Sequence, residues 1–567
     1  MNGRVDLPAL FAFEDMAGSG DELALRLCIG PSSTHRTLTF DQLRGEVLAR
    51  ARVLDQQGCR QGDRVALLMP QGAPLIAAFY AAIYLGCLPS IIAWPTAKMD
   101  AQKYRRNLLG VLQGLAADCL VTDANTTRTL DSVLGRTRVL DASSAPAGGS
   151  APPPRLRGDG PAFIQFSGGT TGTQKSVPIS FEQLRRQLES LSSVLKLDKG
   201  DHIISWLPLY HDMGLIASLL MPFVMRLPTT MFAPMEWVMD PRPFLQAIGD
   251  HRATLCWQPN FAFSFLASRV SPTTTLDLSS MRAFVNCSEP VRSESFDAFL
   301  EKFCPYGLSP GALHASYAMA EATFAVTQTT ANDPPRRLEV SRDAFTSGRL
   351  VQLPAGGRVV TSSGPAIPGI HIRIVDKNGD PSAPDEIGEI WLRSPFMMED
   401  YLDAPRDPNG SRAAFTDGYY RSGDLGALVD GHLYVTGRKK DVIIVGGVNI
   451  YPEDLESAVG DIGGVHAGRV VALGIEAGDV GTERLVVVAE VDTEEHLAQA
   501  RALEIEIRNS VVAVCGLAPY RVLLVPPKWI VKSTAGKISR SETRARILER
   551  FSNVIGGGER STGHVSN

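Results

Sequence analysis

The sequence predicts an α/β fold on three observations. Apolar strand-like runs alternate with helical patterns through most of the first 330 residues, the mark of parallel sheets joined by crossover helices. After about residue 340 the pattern changes to short strands separated by Gly/Asp turns, and from Asp441 a compact α+β segment follows. The chain of 567 residues is 44% hydrophobic and 21% charged, an ordinary globular composition that excludes collagenous, disulfide-scaffold and wholly disordered classes. At roughly 100–200 residues per domain, this length holds several domains.

In chain order, a strand over Val65–Met69, a buried helix over Leu75–Leu85 and a strand over Pro89–Ala93 are expected, then a polar helix over Lys103–Leu115 and a strand in CLVTD. No charge occurs between Arg64 and Lys98, a stretch longer than the ~20 residues of a membrane span. Pro70, Pro74, Pro89 and Pro95 interrupt it, and proline in a helix interior costs about 3 kcal/mol, so interior strand and helix are expected instead of a span. The segment Ala142–Gly160, rich in Ala, Pro, Gly and Ser, reads as a surface loop before the strand AFIQF (162–166). HIRIVDKNGD, GEIWLRS and ALVDGHLYVTG read as strands and turns, with Asp430-Gly431 a hairpin signal. Beyond Asp441 come a strand in DVIIVGG, a helix opened by Pro452, strands RVVALGI and RLVVVAEV, a helix from Glu494 to Val514, the strand RVLLV, and a Gly-rich disordered tail over 556–567.

Charge and cysteine usage narrow the class. With 56 basic and 61 acidic residues the formal net charge is −5, so no global field for nucleic acid or an anionic membrane is expected. Eight scattered cysteines without a CxxC pair fit reduced, buried thiols in a cytoplasmic protein better than a disulfide framework or a zinc site. The N-terminal apolar run is stopped by Glu14 and Asp15 and is too short and acidic for a signal peptide.

Five segments carry chemistry. FSGGTTGTQKS (166–176) follows a strand; its small residues let backbone amides and hydroxyls approach phosphate, and Lys175 adds a point charge. It is not a Walker A loop: Gln174 stands where a glycine belongs, and Val177-Pro178-Ile179 reads as extended, so no helix dipole follows. WLPLYHDMGL (206–215) places His211 and Asp212 at a bend. SYAMAEAT (316–323) presents one acid, Glu321, a candidate Mg²⁺ ligand. In YRSGDLGALVDGHLYVTGRKKD (420–441), Asp424 can accept both hydrogen bonds of a ribose diol and Arg438 can donate to sugar or phosphate. VKSTAGKISR (531–540) presents Lys537 on a Gly/Ser/Thr loop. Taken singly, each admits a plain structural reading: linker loop, structural histidine, solvated glutamate or surface lysine.

The order and spacing of the five together resemble the adenylate-forming superfamily, which includes acyl-CoA synthetases, fatty acyl-AMP ligases and peptide-synthetase adenylation domains. The resemblance spans about residues 20–545. It implies a large N-terminal domain (1–439) of α/β subdomains plus a β-barrel-like subdomain, and a small mobile α+β C-terminal domain (440–555) swinging about Lys440. The phosphate loop matches Ser167, Gly168, Gly169, Thr170, Thr171, Gly172 and Lys175, with Thr170 and Glu321 toward metal. The turn Ser288-Glu289-Pro290 looks like the adenine-side turn, and Tyr317 matches the aromatic that stacks on adenine. Asp424 and Arg438 match the ribose-binding pair, and Lys537 the catalytic lysine of adenylate formation. His211 falls where amino-acid-activating relatives carry an aspartate for the α-amine, which leaves an amino-acid substrate without its partner. Trp257, Phe261, Phe263 and Phe265 would suit an apolar acyl tail or, equally, core packing.

The implied reaction is ATP- and Mg²⁺-dependent activation of a carboxylic acid, fatty or otherwise apolar, to acyl-AMP, followed by thioester formation. The two halves of the sequence point to different acceptors. WLPLYHDMGL, the SEPV turn, AMAEAT and an insert of about 40 residues between Glu321 and Ser363 lean toward fatty acyl-AMP ligases, which load an acyl carrier protein. VGGVNIYPEDLE, with Gly446 and Gly447, resembles the acyl-CoA synthetase form, and because this strand lines the thiol tunnel in the family, coenzyme A is the expected acceptor. A non-catalytic nucleotide-binding relative is the reading from another class, opposed by retention of Glu321, Asp424, Arg438 and Lys537 together.

Overall fold

The structure is a computed structural model that describes residues 5–14, 20–29, 35–95, 101–123, 126, 137–141, 150–156, 158–167, 175–271, 276–402, 414–446, 448–477, 482–532 and 538–555. Two parallel sheets form the N-terminal part. In the first, strands Leu313–Ala315, Ala283–Asn286, Leu255–Gln258, Ile203–Ser205, Thr229–Phe232 and Leu23–Cys28 run parallel, and His35–Thr39 closes one edge antiparallel. The second orders Leu88–Ile91, Arg64–Leu67, Cys119–Thr122 and Arg138–Asp141, all parallel. The uncharged stretch becomes the strand Arg64–Leu67, the helix Ala73–Tyr84 and the strand Leu88–Ile91; every residue of that helix except Pro74 is buried. A helix apolar on all sides belongs in a core, and this one packs into the largest hydrophobic cluster of the chain. No helix among the described residues is long and apolar enough to cross a membrane.

The strand-rich middle forms a six-stranded antiparallel sheet including His371–Val375, Gly388–Arg393, Tyr419–Val429 and His432–Arg438. Its central hairpin turns at Asp430 (φ 48°) and Gly431 (φ 77°), both left-handed, as a two-residue type I′ turn requires. The turn sets the register as far as Gly426 opposite Val435, and a bulge at Thr436 then shifts it by one residue and places Asp424 opposite Arg438.

Beyond residue 441, Val465–Ala477 pairs antiparallel with Thr482–Val491, which pairs parallel with Arg521–Val525. The run RLVVVAEV is apolar at consecutive positions because both faces are covered. Val487 and Ala489 pack with Leu455 and Ile507 on one side, whereas Val486 and Val488 pack with Ile547 and Trp529 on the other. These clusters are separate from the large N-terminal core. Within the expected helix at 494–514, Glu494–Gln499 is a 3₁₀ turn and the α-helix runs Ala500–Cys515. The expected loop at 142–160 and the tail at 556–567 fall wholly or partly outside the described residues.

Candidate active site

The segment with Ser167 and Lys175 hangs from a hairpin. Pro161–Phe166 pairs antiparallel with Ser176–Ser180, and the ladder continues one step as Ser167 N–H donates to Lys175 O (3.0 Å) while Lys175 N–H donates to Ser167 Oγ (3.3 Å). The chain after Lys175 is a strand, and the next helix, Phe181–Leu195, starts only after a Ser180/Gln183 capping box. A Walker-type loop, which needs a helix N-terminus at that point, is therefore excluded by backbone geometry. Gly168, Gly169, Thr170, Thr171 and Gly172 lie outside the described residues, as do Gly447 and Lys537.

Glu321 sits in a buried 3₁₀ turn, Ala320–Ala322, fastened from three sides. Gln165 of the hairpin donates its amide to Ala320 O (2.8 Å) and Thr323 O (2.9 Å). The Thr323 hydroxyl donates to Phe396 O (2.7 Å), and Met398 N–H donates to Glu321 O (2.7 Å). The Glu321 carboxylate accepts from the Tyr401 hydroxyl (2.8 Å), which in turn contacts the Tyr420 hydroxyl (2.9 Å). Burial pushes the Glu321 pKa above the ordinary carboxylate range, the Tyr401 hydrogen bond opposes that, and the nearby Asp212 charge adds to it.

Asp424 and Arg438 face each other across the hairpin, with Arg438 Nε 3.2 Å from Asp424 Oδ1. Asp424 Oδ2 accepts from the Tyr317 hydroxyl at 2.6 Å, and burial beside this carboxylate raises the Tyr317 pKa well above its ordinary value. Lys440 is exposed, and partial desolvation lowers its pKa, with the charges of Arg438 and Lys175 acting in the same direction. Burial opposes the charge on Arg438, and the carboxylates of Asp424, Asp441 and Glu321 favour it. Lys175, Tyr317, Glu321, Asp424, Arg438 and Lys440 thus share one electrostatic neighbourhood.

His211 lies at the mouth of an element that periodicity does not reveal. Its Nδ1 is 2.6 Å from Asp212 Oδ1, and Asp212 caps a π-helix over Met213–Leu220 by accepting from Met213 N–H (2.8 Å). π-turns are rare and concentrate at functional sites. Gly214 makes this one possible: a Cβ there would lie 2.2 Å from Pro208 O. The adenine-side turn is less direct. Ser288 takes a left-handed conformation (φ 71°), Pro290 is exposed, and Glu289 accepts from Phe261 N–H (3.0 Å), so its carboxylate caps the helix Asn260–Arg269. The aromatic run splits: Trp257 and Phe263 are core, while Phe261 is 46% exposed and Phe265 packs on Trp237. Gly446 has φ 58° and a Cβ there would meet nothing within 4 Å among the described residues.

The donors around Glu321 are oxygens, carboxylate and phenol, which suits a hard divalent cation such as Mg²⁺ rather than zinc. A buried carboxylate whose pKa is raised by desolvation and by Asp212 gains from a bound cation. Sequence reasoning missed Tyr401 and Tyr420; their only signal was an aromatic at each end of a polar segment. The one group of three potential metal ligands found among the described residues, Cys59, Asp63 and Cys119, already faces a cation, because Arg138 lies 2.6 Å from Asp63 and 3.0 Å from Cys119.

The family model described as AMP-binding enzyme matches residues 13–402. The medium-chain-fatty-acid–[acyl-carrier-protein] ligase JamA of Moorena producens is 31% identical over 544 residues, 90% of each chain. The long-chain-fatty-acid–AMP ligase FadD32 of Mycolicibacterium smegmatis is 31% identical over 590 residues, covering 94% of this chain and 92% of its own. Among solved structures, one from a study of fatty acyl-adenylate ligases of E. coli and L. pneumophila superposes with a TM-score of 0.85 at 25% identity, covering 97% of this chain and 98% of that one.

Proposed function

The chain belongs to the AMP-binding enzyme family, and from that premise we propose that it condenses a fatty acid with ATP to acyl-AMP and passes the acyl group to the thiol of an acyl carrier protein. The observation that carries the first step is the convergence of Lys175, Tyr317, Glu321, Asp424 and Arg438. Two anions must meet when a carboxylate oxygen attacks the α-phosphorus and pyrophosphate leaves. Lys175 supplies positive charge at the phosphate end, and Lys537 offsets charge on the reacting oxygens. Asp424 and Arg438 hold the ribose, and Tyr317 offers a face to the adenine. Glu321 would hold Mg²⁺, which when bound would neutralise part of the polyphosphate charge. Thioester formation then makes a carbon–sulfur bond, expels AMP and releases the thiol proton.

The choice of acceptor is supported by the likeness to JamA and FadD32, whose names specify a carrier protein and an AMP ligase. It reverses the expectation drawn from the Gly446-Gly447 strand. Coenzyme A remains the second reading because Gly446 is exposed and a Cβ there would meet nothing within 4 Å among the described residues. The test is mass spectrometry of products from a fatty-acid panel with ATP and Mg²⁺, alone, with CoA, and with a phosphopantetheinylated carrier protein. Acyl-AMP should accumulate with CoA present and be consumed by the carrier. Acyl-CoA at a matching rate would reverse the acceptor, and no acyl-AMP from any acid would sink the reading.

A further inference from the structure

Tyr401 joins two groups with different roles. The Lys175 ammonium lies 4.4 Å from the centroid of its ring, and its hydroxyl is 2.8 Å from Glu321 Oε1. A phenol has one proton, and donating it to the carboxylate leaves only lone pairs for Tyr420, so the Tyr420 hydroxyl donates at 2.9 Å. The three groups form a directed chain, Tyr420 to Tyr401 to Glu321, and successive bonds in such a chain polarise one another. The ring is fixed at both ends: Glu321 belongs to the 3₁₀ turn anchored by Gln165, and Lys175 follows the hairpin strand that carries Gln165. The next residue, Leu402, donates its N–H to Ser176 O (3.0 Å), tying this segment to the same hairpin.

We propose that Tyr401 is a positioning residue for adenylate formation, its ring seating the Lys175 ammonium and its hydroxyl orienting the Glu321 carboxylate. One side chain thereby sets the spacing between the cation that meets the polyphosphate and the carboxylate that meets the divalent metal. This rests on the proposed ATP-dependent activation. The ring contact is a cation–π interaction, the hydroxyl contact a hydrogen bond to a charge, and the two are separable by substitution.

The test compares full-length wild type with Y401F and Y401L, using fatty-acid-dependent ATP–pyrophosphate exchange. Y401F keeps the ring and loses the hydrogen bond. Half-saturating Mg²⁺ should rise about tenfold, the order expected for a hydrogen bond to a charged group, while KM for ATP at saturating Mg²⁺ changes less than about twofold. Y401L should add a rise of about threefold in that KM, the size of a partly exposed cation–π contact. If both variants lose kcat equally, with Mg²⁺ dependence unmoved, Tyr401 is merely structural and the proposal fails. Calorimetric binding of a non-hydrolysable ATP analogue with and without Mg²⁺ reads the same contrast without turnover. Wild type that binds the analogue but activates no acid would fail the proposed function while leaving the Tyr401 comparison decisive.

Discussion

The Tyr317 hydroxyl donates to Asp424 Oδ2 at 2.6 Å while Arg438 holds Oδ1 at 3.2 Å, so both oxygens expected to receive a ribose diol are engaged. Nucleotide binding must exchange the phenol bond for a ribose bond. We expect Y317F, which keeps the ring, to bind AMP about fivefold more tightly, because the competing donor is gone. Calorimetric titration of wild type and variant with AMP checks this. Weaker binding by Y317F would mean that the hydroxyl stays with Asp424 beside the bound sugar.

A methyl group at position 214 tests the π-helix. Its Cβ would lie 2.2 Å from Pro208 O, backbone that cannot swing aside like a side-chain tip. We expect G214A to cost about 1–3 kcal/mol through overpacking and to displace His211, three residues upstream. The readouts are the melting temperature and fatty-acid-dependent exchange. An unchanged melting temperature would show that the turn relaxes without cost.

The sequence is legible wherever local chemistry dictates geometry. Asp430-Gly431 announces a two-residue hairpin, whereas the bulge at Thr436 that brings Asp424 opposite Arg438 has no such local signal. Pro452 opens a helix at its first residue, and Val177-Pro178-Ile179 stays extended. What was hidden depends on contacts distant in sequence. Tyr401 is 80 residues from Glu321, and nothing near either residue encodes their hydrogen bond. Glu289 sits in a motif-like turn, yet its carboxylate is spent on Phe261 N–H, 28 residues away. The π-helix differs from an α-helix by one residue per turn over a stretch apolar on all sides, so no periodicity distinguishes them.

In the proposed reaction, Lys537 would separate the two half-reactions. Its charge would be needed where carboxylate and α-phosphate oxygens approach, and the later attack of a thiol on the acyl carbonyl does not create that repulsion. We expect K537A to lower fatty-acid-dependent ATP–pyrophosphate exchange by about 10²-fold or more, as for other electrostatic catalytic groups, while transfer from supplied acyl-adenylate to the acceptor survives. Normal exchange in K537A would overturn the motif assignment.

Arg540 holds three carboxylates at once: Asp441 (3.2 Å), Glu453 (3.0 Å) and Glu456 (2.8 Å), with its side chain only 15% exposed. It thereby ties the segment just after Lys440 to the helix Pro452–Gly460. Burial raises Glu453 and Glu456 above their ordinary value of 4.5, and Arg540 opposes the rise. Acids raised in this way keep protons that the unfolded chain releases, so their contribution is fully present below pH 4.5 and is lost as pH rises through the folded values. Removing the guanidinium raises those values further and leaves the charges uncompensated. We therefore expect R540M to destabilise by about 3–5 kcal/mol at pH 8 and by clearly less at pH 5, where protonation relieves the repulsion. Melting temperatures of variant and wild type at both pH values test this, and an equal loss at each would show that the arginine acts through packing rather than charge.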